Sequence, residues 1–82
     1  MKTRQLIDKL KHFFDADRRA RQEQRVSLKE VLDKLKAKER ELKERLTHEV
    51  NPDEKKKLEK KIALVHTQRK KGVALLKEDN ER

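Results

Sequence analysis

The tetrapeptide Asn51-Pro52-Asp53-Glu54 limits what this chain can fold into more than any other stretch, because it bends a helical chain and thereby fixes which apolar residues can meet. Asn at a helix N-cap accepts a hydrogen bond from an orphan amide, and Pro at the first helical position lacks the N–H that would go unpaired there. Asp53 and Glu54 place negative charge at the positive end of the following helix, with Glu54 at the capping-box position relative to Asn51. One helix therefore stops near Val50 and another starts near Pro52.

The apolar positions on either side agree with this bend. Leu28, Val31, Leu32, Leu35, Leu42, Leu46 and Val50 occupy one stripe at helical periodicity. After the bend, Leu58, Ile62, Val65, Arg69, Gly72/Val73 and Leu76 alternate in spacings of four and three, a heptad seam with a polar interruption at Arg69. Closing the hairpin at residues 51 to 53 sets opposite each other residues whose numbers sum to about 104, so Leu46 meets Leu58, Leu42 meets Ile62, and Leu32 meets Gly72. Glu39 and Arg69 both fall inside the stripes, about one turn from being opposite. They either form a register-setting ion pair or both extend to water. Gly72 follows Arg69, Lys70 and Lys71 as a terminal glycine cap would, yet Val73, Leu75 and Leu76 continue the apolar pattern, so a helix running through it for close packing is the expectation. The end, Glu78 to Arg82, is expected to fray.

Ahead of the hairpin, Leu6, Ile7, Leu10, Phe13 and Phe14 fall on one arc of an amphipathic helix starting near Thr3. Good helix formers could carry its backbone to about Arg25, and Ser27-Leu28-Lys29-Glu30 reads as a capping box opening the next helix. The rival is one unbroken helix from Thr3 to Val50. Leu64 and Leu75 lie off the seam on a separate side of the third segment, where either the first helix folding back or another copy of the chain would cover them.

Composition narrows the function. Half of the 82 residues are charged and 32% are apolar, the profile of long exposed helices and not of a thick globular core. Cysteine is absent, which removes disulfides, thiolate nucleophiles and Cys-based zinc sites. No apolar run approaches the length of a membrane span and the N-terminus lacks the apolar core of a secretory signal, so a cytoplasmic location is expected. The net charge of +9 favours anionic partners and comes mainly from residues 1–27 (8 basic, 4 acidic) and 51–78 (9 basic, 4 acidic).

Enzymatic chemistry finds no support. His12, His48 and His66 stand outside any metal-binding spacing, and there is no Gly-rich phosphate loop or nucleophile motif. No cofactor or metal is expected. Acidic residues of the middle segment have surface explanations as i,i+4 pairs: Glu30 with Lys34, Glu39 with Lys43 and Glu41 with Arg45.

The sequence thus predicts a single small all-α domain over residues 1–82: an antiparallel coiled-coil helical hairpin (helices at about 28–50 and 52–78) plus an N-terminal amphipathic helix (about 3–25), as a three-helix arrangement or an oligomeric bundle. The expected function is a non-enzymatic protein-interaction or oligomerisation module. Leu6, Ile7, Leu10, Phe13 and Phe14 form its docking surface, Leu64 and Leu75 their counterpart, and another copy of the chain is the first partner expected. The alternative is a basic protein contacting nucleic-acid phosphates through Arg18, Arg19, Arg21 and Arg25 together with Lys55, Lys56, Lys57, Lys60, Lys61, Arg69, Lys70 and Lys71, without strong sequence readout. A membrane surface is the least favoured partner, because the same cationic amphipathic pattern describes a helix docking into a bundle.

Overall fold

The computed structural model describes residues 3 to 80. Among them lie four helices and no strand: α1 (Thr3–Asp15), α2 (Arg18–Glu23), α3 (Arg25–His48) and α4 (Pro52–Asn80). The all-α class and the hairpin of α3 against α4 are as the sequence predicts, and the molecule is a rod of 47 × 21 × 16 Å.

The bend forms on Asn51. Its side-chain Oδ1 accepts from the amides of Asp53 (2.9 Å) and Glu54 (3.4 Å), and its carbonyl accepts from Lys55 (2.9 Å). The reciprocal bond expected of Glu54 is made by a different carboxylate: Glu49 Oε1 accepts from the amides of Val50 and Asn51, each at 3.1 Å. Glu54 turns to Lys57 instead, at 3.4 Å. Glu49 has left the helix with extended backbone (φ −78°, ψ 130°), so α3 stops at His48 and Val50 is 88% exposed, outside the seam it was expected to extend. Replacing Asn51 with Ala removes the cap from two amides, and a loss of about 1 kcal/mol in thermal melts is the expected result.

The N-terminal arm differs from expectation in its course. Neither a helix to Arg25 nor an unbroken helix to Val50 forms, because the chain turns at Ala16 and Asp17. Asp17, extended at φ −71° and ψ 168°, caps α2 by accepting from Ala20 N at 2.8 Å, and Arg21 Nη1 donates back to the Ala16 carbonyl at 2.6 Å. A second turn at Gln24, whose amide reaches the carbonyls of Ala20 and Arg21, starts α3 at Arg25. Ser27 is consequently inside α3 and does not cap it. Burial is the physical reason: the apolar stripe ends at Phe14, and only a reversal there lets Leu6, Leu10 and Phe13 lie against the hairpin. Propensity, worth tenths of a kcal/mol per residue, loses to that.

Helix α1 packs on both α3 and α4, parallel to α4: Arg4 and Ile7 share a groove with Lys61 and Leu64, while Phe14 shares one with Leu75 and Glu78. The result is an up-down-up three-helix bundle at the open end of the hairpin, and a two-helix hairpin at the bend end. Leu6, Leu10, Leu28, Leu35 and Val65 are its most buried side chains. Gly72 is where all three helices meet. The helix runs through it at ordinary φ, and a Cβ placed there would lie 2.4 Å from Leu32 Cδ2 and 3.1 Å from Leu10 Cδ1. Leu32 opposite Gly72 is the pairing the bend predicts. Of the fraying end, Glu81 and Arg82 lie outside the described residues, and α4 continues to Asn80.

Candidate functional site

Among the described residues Glu39 is the buried charged residue of the core, 4% exposed. Arg69 Nε donates to its Oε2 at 3.0 Å, His66 Nδ1 lies 2.5 Å from its Oε1, and Lys43 Nζ stands 3.7 Å from the same oxygen. Burial alone would raise the carboxyl pKa. The hydrogen bond with His66, the charge and hydrogen bond of Arg69 and the charge of Lys43 outweigh it, holding Glu39 below the usual carboxylate range. The ion pair with Arg69 therefore forms, and His66 is a partner that sequence reasoning missed. The signal was available, since 39 and 66 sum to 105, within one residue of the hairpin register. With both oxygens engaged by cations, Glu39 acts as an internal acceptor joining α3 to α4.

The other predicted surface pairs form in part. Glu39 meets Lys43 as expected, but Glu41 pairs with Lys38 at 3.4 Å and not with Arg45. His48 is the last residue of α3, well placed for the negative end of the helix dipole.

The predicted docking residues divide into two groups. Leu6, Leu10 and Phe13, with Ile7 8% exposed, are spent inside the chain's own core, so the first helix covers its own hairpin and this face is not free to receive a partner. Phe14, Leu64 and Leu75 are different. Phe14 and Leu75 are half-buried, and Leu64 remains 50% exposed beside Ile7 and Val65. They lie along one groove between α1 and α4, whose two halves share Lys11 and Gln68.

The predicted anion-binding residues are not gathered into one patch. Arg18, Arg19, Arg21 and Arg25 lie at the open end of the rod, and Lys55, Lys56, Lys57, Lys60 and Lys61 along the first three turns of α4 from the bend, about 36 Å from Arg25 at Lys55 and about 27 Å at Lys61 by helix rise. Arg69 is tied to Glu39, Arg21 to the Ala16 carbonyl, and Arg19 stands 3.7 Å from Glu23. Lys70 and Lys71 are exposed between the two ends. Among the described residues no helix is long and apolar enough to cross a membrane.

These features define an all-α protein built as an antiparallel helical hairpin with an amphipathic helix docked along its open half. No protein-family model matches the chain, and neither a curated protein nor a solved structure matches it.

Proposed function

We propose that this protein is a non-enzymatic helical interaction module that binds another protein through the groove between α1 and α4. The observation that carries this reading is Leu64, half exposed between Ile7 and Val65, with Phe14 and Leu75 partly uncovered further along the same groove. Scattered apolar side chains are ordinary on a protein surface, but three aligned in one groove, set between polar ones, supply the spaced apolar anchors that helix-in-groove recognition uses. The second reading is phosphate binding by the five exposed lysines within the first three turns of α4, Lys55, Lys56, Lys57, Lys60 and Lys61. It is disfavoured by the distance to the arginine cluster and by the lack of Tyr or Trp for base stacking.

The test compares full-length protein with a Leu64→Glu/Leu75→Glu variant as bait, quantifying the proteins captured from cells that make it, with labelled duplex DNA and RNA titrated at low and physiological salt in parallel. Partners held by the wild type and lost by the variant are expected, with weak nucleic-acid binding. Equal capture by the two baits, with duplex binding that falls steeply with salt, would reverse the order of the two readings.

A further inference from the structure

The groove between α1 and α4 carries a second helical register, which shares Ile7 with the one that builds the core but on α4 runs beside it. On α4 it runs Lys61, Leu64, Gln68, Lys71, Leu75 and Glu78, in alternating steps of three and four; on α1 it runs Arg4, Ile7, Lys11 and Phe14, in the same steps. Such steps keep side chains on one line along a helix, and two adjacent lines of this kind are what a further helix meets when it joins a bundle. Lys61 to Glu78 covers 17 residue steps, a length of about 26 Å, enough for a five-turn helix.

The chemistry of this surface selects its occupant. Apolar side chains alternate with cationic ones. Five basic residues line it, Arg4, Lys11, Lys61 and Lys71 with Lys38 from α3, against two acidic ones, Asp8 and Glu78. A second copy of the chain is a poor fit: the amphipathic faces of α1, α3 and α4 are already used inside the bundle, and pairing groove to groove would oppose one net +3 rim with another. A partner that is apolar on one stripe and acidic beside it satisfies both features, burying Leu64, Leu75 and Phe14 while its carboxylates face the lysines.

We infer that the α1–α4 groove, through apolar Phe14, Leu64 and Leu75 and cationic Arg4, Lys11, Lys61 and Lys71, binds an acidic amphipathic helix of another protein, completing a four-helix bundle. This rests on the protein-interaction reading and gives that partner its chemistry. Charge on the rim acts chiefly on selectivity and association rate, whereas the leucines supply affinity for any helix that fits.

The experiment uses two fluorescein-labelled synthetic peptides of about 18 residues, each with Leu at alternating three- and four-residue steps, one flanked by Glu and the other by Lys. Anisotropy titrations of the full-length chain at physiological salt are expected to show binding of the Glu peptide at least about tenfold tighter than the Lys peptide. A Lys61→Glu/Lys71→Glu variant is expected to reverse that preference. A Leu64→Ser/Leu75→Ser variant is expected to weaken both peptides, with circular dichroism confirming that each variant keeps its helices. Equal binding of the two peptides, or a Glu-peptide affinity indifferent to the two charge reversals, would overturn the inference; so would tighter binding of duplex RNA or anionic vesicles through the same lysines, or a concentration-dependent dimer abolished by the two leucine changes. If cellular partners still depend on Leu64 and Leu75 while the peptides are not distinguished, the acidic helix falls and the interaction reading stands. If neither holds, both fall.

Discussion

Replacing Arg69 with Leu is expected to destabilise the fold by about 2–3 kcal/mol, while Glu39→Leu costs under about 1 kcal/mol and the double variant is more stable than Arg69→Leu alone. The asymmetry follows from exposure. The Glu39 side chain is 5% exposed, so removing its guanidinium partner leaves a carboxylate inside the hairpin with the His66 hydrogen bond and the loosely placed Lys43 ammonium as its remaining contacts. Removing Glu39 instead frees Arg69, 22% exposed, to turn outward, and leaves Lys43 and His66 where water already reaches them. Stripping one partner from a fully buried pair typically costs about 3–5 kcal/mol, and the contacts of Glu39 with His66 and Lys43 reduce that here. Thermal melts of the two single variants and the double variant form a cycle whose coupling energy isolates the pair. Strictly additive effects would show that the contact sets no register.

The same carboxylate predicts a pH dependence. Its pKa is lowered in the folded state, so its contribution is fully present above the unfolded value of about 4.3 and is lost as the pH falls through the lower folded value. Wild type should therefore lose stability relative to Glu39→Leu as solutions are taken from about pH 5 toward pH 2. A difference between the two that stays constant over this range would remove Glu39 as its source.

How much of this was legible in the sequence depends on whether a feature is set by one helix or by several. The bend is local: Asn51 and Pro52 act on their own amides, and the heptad spacing on either side then places Leu32 against Gly72 without further information. Glu39 and Arg69 were visible as polar interruptions of apolar stripes for the same reason. His66 was not, because a histidine beside Val65 looks like surface until the register is applied to polar residues as well as to leucines. The turn at Asp17 was missed through a different limit. Ala, Arg, Gln and Glu favour helix from Ala16 to Arg25, and the cost of continuing is felt only at Leu6, Leu10 and Phe13, which a straight helix would carry away from the hairpin. The groove has the same origin. Leu64 and Leu75 stood out as unpartnered, but that α1 would lie beside them, leaving Leu64 half open between cationic walls, follows from the packing of three helices together.

That packing leads to the second large effect. Leu10→Ala is expected to cost about 3 kcal/mol, against less than about 1 kcal/mol for Leu75→Ala, although both are leucines on helices of the same bundle. Leu10 is fully buried at the crossing of α1 with Leu32 and Gly72, where the neighbouring backbone of α4 cannot close over a lost side chain, so the deletion leaves a cavity. Leu75 is half-buried at the edge of the groove, where water fills the space its removal opens. For a domain of this size about 3 kcal/mol corresponds to a fall in melting temperature of roughly 12–24 °C, readily read by circular dichroism. The crossing also makes a coupled prediction. Gly72→Ala gains helix propensity of about 1 kcal/mol but drives a methyl into Leu32, and in the wild type the buried Leu10 denies Leu32 room to move. In the Leu10→Ala background that room exists, so Gly72→Ala should be less harmful there than in the wild type. Equal costs for Leu10→Ala and Leu75→Ala would mean that α1 is not docked through the Leu10 face, and independence of the Gly72 and Leu10 substitutions would mean that the three helices do not meet where Gly72 admits them.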